Sequence, residues 1–192
     1  YLHPIAAPDG KGLVTEYSPG HHAHQTGLYW GFTRINGQPM GLDSLMEFFY
    51  EPETEEQIAI KGRDYFHNPG EDYWKRVSFN IIDSIGEKVS WQTVYFMLDA
   101  NGEPLMKETQ VWSLELKKEE YLLELEWNGE AIEEIVIGEM QYGGMFLRMP
   151  WKEGIKGEVI NFARQKNENA AGQHALWMDV GMQVEGRDDL AH

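Results

Sequence analysis

The chain has 192 residues, 42% hydrophobic and 12% aromatic, which is enough apolar material for one folded domain with its own core. Its formal net charge of −16 at pH 7 disfavours nucleic acid and anionic membranes as partners, because both carry negative charge. The sequence has no cysteine, which excludes disulfides, thiolate metal ligands and cysteine nucleophiles. It also has no apolar run long enough to span a bilayer, so we do not expect a membrane-embedded protein. The lack of cysteine is compatible with either a bacterial periplasm or a bacterial cytoplasm.

The first seventy residues are irregular in pattern. Residues 28–35 are rich in aromatic side chains and predict a strand that ends at Asn36-Gly37. Residues 51–57 are acidic and indicate a solvated loop or a short helical turn. No long amphipathic helix and no internal repeat is found, so we predict a single domain over residues 1–192.

The clearest strand pattern lies between residues 73 and 150. Val77, Phe79 and Ile81 alternate with polar neighbours, which is the period of two of a β-strand. Residues 91–98 are apolar on both faces, as expected of a central strand.

Further strands are predicted over residues 106–116, 121–127 and 131–137, with tight turns at Asn101-Gly102 and Asn128-Gly129. About five strands in a meander are typical of a β-sandwich or barrel. The sequence therefore predicts an all-β fold. The chain after Pro150 is irregular and becomes apolar again over residues 174–184.

Several segments together resemble the bacterial PmoA-like family, which carries the label "methane oxygenase". The matching segments are 1–5, 18–30, 62–67, 143–150 and 185–187. A membrane methane monooxygenase needs several apolar spanning helices, which this sequence lacks, so the label is set aside.

The resemblance implies an antiparallel β-sandwich related in shape to galactose mutarotases and the supersandwich lyases. Family members of this kind often occur beside genes for polysaccharide breakdown, which implies work on carbohydrate. They usually begin before Tyr1 and continue past His192, so the resemblance implies that this chain is the middle portion of a longer domain, incomplete at both ends.

Three histidines, His21, His22 and His24, follow a Ser18-Pro-Gly turn. If the backbone is extended, His22 and His24 project from one face and His21 from the other. The pair then suits two imidazole ligands of a divalent metal, with a third such as His67, or a general base and its orienting partner. The alternative is that these rings only hydrogen-bond the backbone of a tight loop.

Other candidates are polar or aromatic residues near the matching segments. Tyr142 and Arg148 flank the Gly143-Gly144 pair, and Arg148 suits a substrate carboxylate or one of the many glutamates. Trp30 and Trp151 are candidates for stacking on sugar rings, and core packing is the alternative for each. The polar residues Asn161 and Gln173 are predicted at a pocket rim or in plain loop.

Three functions fit these residues. The first is a carbohydrate-active enzyme of the elimination or dehydration type, in which His22 or His24 is the base, Arg148 neutralises a carboxylate, and Tyr142 or His67 protonates the leaving oxygen. The second is a non-catalytic glycan-binding or scaffold module. The third is an oxygenase or epimerase with a histidine-bound metal. The sugar, the bond, the metal and the oligomeric state are left open.

Overall fold

The computed structural model describes residues 1–18, 20–49, 54–68, 70–184, 188 and 190–191. The strands are β1 Leu28–Gly31, β2 Trp74–Ile85, β3 Lys88–Leu98, β4 Pro104–Lys117, β5 Glu120–Ala131, β6 Gly144–Leu147, β7 Gly157–Asn161 and β8 Met178–Met182. The helices are α1 Leu42–Phe49, α2 Glu55–Lys61, and two 3₁₀ helices over Gly20–Gln25 and Asn167–Asn169. All pairing between these strands is antiparallel, which confirms the predicted all-β class.

The largest sheet has four strands in the order β2-β3-β4-β5, and each strand pairs with the next one along the chain. Its hairpins close at residues that tolerate a positive φ, namely Gly86 (60°), Gly102 (84°) and Lys118 (47°). The predicted strands at residues 91–98 and 106–116 and the predicted turn at Asn101-Gly102 are confirmed.

One face of this sheet carries an aromatic and polar row. Cross-strand partners lie on the same face and every second residue shares it. The pairs on the two central strands are Trp91 with Trp112, Thr93 with Gln110, Tyr95 with Glu108, and Met97 with Met106. The row therefore runs from tryptophans at one end to methionines at the other.

Strands β1 and β6 form a separate two-stranded sheet, and β1 lies against the aromatic row. The Trp30 ring of β1 lies 4.8 Å from the Trp127 ring of β5, centroid to centroid. The chain after β1 continues this packing, because Ile35 joins Met97 and Met106 in a buried cluster with Tyr65. The methionine end of the row is therefore the closed core of the fold, and the tryptophan end extends beyond it.

A third sheet pairs β7 with β8. Met182 of β8 packs with Val184 and Ala191 in a second, smaller buried cluster. No helix among the described residues is long and apolar enough to cross a membrane.

Two predictions about strands are wrong. Asn128-Gly129 is not a turn, because β5 continues through it to Ala131 in register with β4. Gly129 is needed there for another reason, since a Cβ at this position would collide with the Trp127 indole. Residues 131–137 do not form a fifth strand of the sheet, and only Ile137 makes an isolated bridge, to Ile35.

The strand predicted around Val77, Phe79 and Ile81 is confirmed as part of β2. Val77, Phe79 and Ile81 are each about half exposed or more. The register of β2 shifts after Arg76 and again after Ile81, and the strand lies at the edge of the sheet.

The strand predicted over residues 28–35 is shorter in the structure, since β1 ends at Gly31. Of residues 51–57, those from 54 onward cap and begin α2, and residues 51–53 lie outside the described part.

Candidate functional site

The loop over residues 63–68 is fixed to the end of β3. The guanidinium Nε of Arg63 and the hydroxyl of Tyr65 both donate to the carbonyl of Leu98, at 3.0 and 2.6 Å. Arg63 also lies over the Tyr73 ring, 3.9 Å from its centroid. These buried contacts hold the loop rigidly against the large sheet.

Asp64 of this loop is buried and orients His67. Its Oδ1 accepts hydrogen bonds from the backbone N–H groups of Phe66 and His67, both at 3.0 Å. Its Oδ2 lies 2.7 Å from Nδ1 of His67. A carboxylate on one ring nitrogen fixes the orientation of the imidazole, as in an oriented acid–base histidine.

The histidine segment is not extended, so the predicted reason for pairing His22 with His24 is wrong. Residues 20–25 form a 3₁₀ helix with a kink at His22. The segment closes as a loop because the backbone N–H of Ser18 donates to Oγ1 of Thr26. The kink still brings the His22 and His24 rings to 5.9 Å, centroid to centroid. The side chain of His21 lies outside the described part.

His24 lies at the centre of the histidine cluster, which we define as His22, His24 and His67. Its ring lies 4.9 Å from the His67 ring, 6.1 Å from Phe66 and 6.3 Å from Tyr29. The pKa of His24 is lowered to about 4, mainly by burial and also by the charges of His67, His22 and Arg148, against the opposing charge of Asp64. His24 is therefore a neutral imidazole at neutral pH.

Arg148 supports the histidine helix. Its Nε donates to the carbonyl of Gln25 and its Nη2 to the Gln25 side-chain oxygen, both at 2.7 Å. Its positive charge also acts on His24 and on Tyr29, whose pKa it lowers in opposition to the larger effect of burial. Arg148 therefore caps the helix and places a cation near the cluster.

Two polar atoms beside this cluster are buried without a hydrogen-bond partner among the described residues. They are Nε2 of His24 and the hydroxyl of Tyr29. Burial raises the pKa of Tyr29 far above its usual value, so this hydroxyl keeps its proton. Unpaired buried polar groups are costly, and in native proteins they often mark sites that a ligand completes.

A cleft of about 470 Å³ joins the histidine cluster to the aromatic row of the large sheet. This volume is in the range of small-molecule sites. Side chains from β1, the 63–68 loop and the large sheet line it. They include His24, Tyr29, Trp30, Phe66, Trp74, Arg76, Phe79, Trp91, Tyr95, Glu108, Gln110 and Trp112.

Glu108 is fully buried at the floor of this cleft. Its Oε1 accepts hydrogen bonds from Nε1 of Trp30, at 2.8 Å, and from the amide of Gln110. Its Oε2 has no hydrogen-bond partner among the described residues. Burial raises the pKa of Glu108, while the Gln110 amide and the indoles of Trp30 and Trp127 act against that rise.

The part of the chain that the structure describes holds no group of three or more His, Asp or Glu side chains arranged as a metal site. Nδ1 of His67 is already engaged by Asp64. The predicted divalent metal on His22 and His24 therefore stays a prediction.

The structure brings together some predicted residues and separates others. His22, His24, His67 and Arg148 meet, and Trp30 lines the adjoining cleft. The half-exposed Tyr142 lies at the edge, with its ring 6.2 Å from that of His67.

The remaining predicted residues lie elsewhere. The exposed Trp151 ring packs over Gly157 of β7. Asn161 is buried and structural, because its oxygen accepts from the backbone of Ala163 and Gln165. Gln173 is in an exposed loop. The prediction of a pocket rim at Asn161 and Gln173 is not supported by these positions.

Sequence reasoning missed Tyr29, Asp64 and Glu108. A signal for Glu108 was present, because it alternates with Met106, Gln110 and Trp112 and so places an acid on a face that also carries large apolar residues. Asp64 carried only a weak signal, three residues before His67. Tyr29 carried none beyond its place in an aromatic strand.

A family model described as a family of unknown function, DUF6807, matches residues 1–191. No curated protein and no solved structure matches the chain. The resemblance to the PmoA-like family, and to galactose mutarotases in shape, stays a prediction. Its segment 185–187 lies outside the described residues.

Proposed function

The chain belongs to the family DUF6807, whose function is unknown, and from its own site we propose that it binds a carbohydrate in the cleft and acts on it by proton abstraction, with His24 as the base. The observation that carries the proposal is the pair of buried, unpartnered atoms beside the cleft, Nε2 of His24 and the hydroxyl of Tyr29. One is a proton acceptor and the other a proton donor. Their rings lie 6.3 Å apart, centroid to centroid, so one substrate can reach both.

The proposed reaction is an elimination. The proton on the carbon beside a sugar carbonyl or carboxylate moves to Nε2 of His24. The carbon–oxygen bond to the leaving group breaks with its electron pair on oxygen, and a carbon–carbon double bond forms. The Tyr29 hydroxyl protonates the leaving oxygen, and the proton held by His24 restores Tyr29 after product leaves.

Three neighbours support these roles. Asp64 fixes the His67 ring 4.9 Å from that of His24, where His67 can orient the base or act as the alternative acid. The Arg148 cation offsets negative charge that develops on the substrate. Both reacting atoms are shielded from bulk water, so a ligand reaches them only when neighbouring rings shift, and its interactions with them are strengthened by the low dielectric.

The carbohydrate class is supported by the cleft wall. Indole and phenol rings present an apolar face and a polar edge, as sugar rings require. Trp30, Trp74, Trp91 and Tyr95 provide such rings together with the polar Gln110. A cleft of about 470 Å³ accommodates a short oligosaccharide in part.

The test measures the formation of unsaturated product, by ultraviolet absorbance, across a panel of polysaccharides and oligosaccharides. Glutamine at position 24 keeps the approximate shape and removes the base. His24→Gln should therefore lower turnover by at least about 100-fold on whichever substrate the wild type cleaves. Tyr29→Phe should lower it by a similar order. His174→Gln is the matched control, because His174 lies in an exposed loop outside the cleft and should leave turnover unchanged.

Each other outcome opposes the proposal in a defined way. Full activity of His24→Gln rules out His24 as the base. Wild-type binding of glycans without turnover on any member of the panel favours the non-catalytic glycan-binding module. Activity that is lost on chelation and restored by a divalent metal favours the histidine–metal enzyme.

A further inference from the structure

We propose that the sheet end of the cleft, around Glu108, Gln110 and Trp91, is a second sugar subsite that takes an uncharged sugar residue through its hydroxyl groups. We call this part of the cleft the sheet subsite. The proposal rests on the proposed function for the ligand class, a carbohydrate, and does not depend on which residue is the base. The sheet subsite would hold the sugar residue next to the one that reacts.

The first observation is the buried acid on the floor. Glu108 is fully buried, and its Oε1 is already held by Trp30 and Gln110. Glu108 lines the cleft, and its Oε2 has no hydrogen-bond partner among the described residues, although the Trp127 indole acts on this carboxyl. Gln110 is itself fixed, because its Oε1 accepts from Nε1 of Trp112 at 2.9 Å. The free oxygen is therefore held in one position by a rigid chain of hydrogen bonds, as a recognition group should be.

The second observation is the ring surface above that floor. Trp91 pairs across the sheet with Trp112, and the two indoles are nearly parallel, at 12° with centroids 6.2 Å apart. Phe79 on the neighbouring strand also lines the cleft and is 54% exposed. Such surfaces stack on the C–H face of a pyranose ring while a buried polar group binds its hydroxyls.

The third observation is the balance of charge. Among the described side chains that line the cleft, Arg76 is the cationic one, and the amino group of Tyr1, which also lines the cleft, acts on Glu108 as a second positive charge. Arg76 is exposed and acts on the neighbouring Tyr95. A ligand with hydroxyl groups satisfies Glu108 without adding charge to a buried place, whereas a carboxylate there would add one. The sheet subsite therefore favours a neutral sugar over a uronic acid.

The experiment measures the dissociation constants of defined hexasaccharides by calorimetry. Cello-, xylo- and mannohexaose are the neutral probes, a glucosamine hexamer is the cationic probe, and hexagalacturonate is the anionic probe. We expect at least one neutral probe to bind. Binding of the charged probes alone, or of none, overturns the proposal.

Two substitutions at Glu108 separate a hydroxyl ligand from a cationic one. A glutamine keeps the oxygen that accepts from a hydroxyl, so Glu108→Gln should weaken binding by no more than about threefold. Glu108→Leu removes the polar group and should weaken it by at least about tenfold. An equal loss in both variants means that the negative charge is what binds, which overturns the neutral ligand. Glu126→Gln is the control, because Glu126 is exposed on the opposite face of the sheet. Its cross-strand partner Val111 lies between Gln110 and Trp112 in sequence and therefore points away from the row.

Trp91→Ala tests the stacking surface without touching the buried acid, and it keeps the proposal falsifiable if a Glu108 variant fails to fold. It should weaken the neutral probe by about tenfold. Unchanged binding overturns the sheet subsite. His24→Gln separates the two proposals, since it should abolish turnover while the neutral probe still binds. If the wild type binds no neutral probe, the sheet subsite has failed. If His24→Gln keeps full turnover, His24 is not the base and the proposed function has failed.

Discussion

The buried Asp64 and the partly buried His67 form a pair in which the carboxylate Oδ2 lies 2.7 Å from the imidazole Nδ1, while Oδ1 closes the turn that carries the histidine. One carboxylate thus shapes the loop and orients the ring. Asp64→Asn keeps an oxygen for the turn and loses the charge, so it should lower the free energy of unfolding by about 1–2 kcal/mol. Asp64→Ala loses both and should cost about 3 kcal/mol.

Urea denaturation measures these changes. Asp83→Asn on the exposed part of β2 is the control and should stay within about 0.5 kcal/mol of the wild type. Equal stability of Asp64→Ala and the wild type would show that the pair does not stabilise the loop.

The pKa of His24, lowered to about 4 from an ordinary 6.5, makes stability depend on pH. Between these two values the unfolded chain binds a proton that the folded chain does not, so the free energy of unfolding falls as pH falls from about 6.5 toward 4. His24→Gln should remove this part of the decline. The measurement is the difference in unfolding free energy between variant and wild type at pH 7 and pH 5. His174→Gln should follow the wild type, and a His24→Gln curve parallel to the wild type would contradict the lowered pKa.

Trp30 connects β1 to the buried acid of the large sheet through its hydrogen bond to Glu108. Trp30→Phe keeps a ring and removes the donor, so it should destabilise the fold by about 1–3 kcal/mol. The variant should also raise the pKa of Glu108, because one group that favours the ionised form is lost. Thermal unfolding measures the first effect. The same change at the exposed Trp177 should have little effect, and an equal loss at both positions would mean that the hydrogen bond is not the cause.

Gly129 leaves room for the indole of Trp127 on β5. A methyl group there would collide with that ring and with the sulfur of Met106, so Gly129→Ala should cost about 1–3 kcal/mol in unfolding free energy. The control is Gly41→Ala, where nothing lies within 4 Å of the added atom. A neutral Gly129→Ala would show that the indole can move aside without cost.

The strands of the large sheet could be predicted because their signals are local. Alternating residues and an Asn-Gly pair, as at Gly102, determine strand and turn within a few positions. The same signal failed at Gly129, where the glycine serves a tertiary contact with Trp127 instead of a turn. Local sequence cannot distinguish these two uses.

The histidine segment stays a predicted site, but its backbone is a 3₁₀ helix and not the extended chain considered in the prediction. Its 3₁₀ helix is held by Arg148, which lies far along the chain and caps Gln25. The pairing of His24 with His67 likewise depends on the loop that Arg63 fixes to β3. Such long-range contacts leave no trace in a local pattern, whereas the histidines themselves are visible in the sequence as a candidate site.

The near-parallel pair of Trp91 and Trp112 gives the protein an optical signal of its own. Two indoles at 6.2 Å couple their electronic transitions, so the pair should produce an exciton couplet in the circular dichroism spectrum that Trp91→Phe abolishes. A sugar that stacks on Trp91 changes the surroundings of this indole. The shape of that couplet therefore reports occupancy of the cleft directly, without a label and before any substrate has been identified.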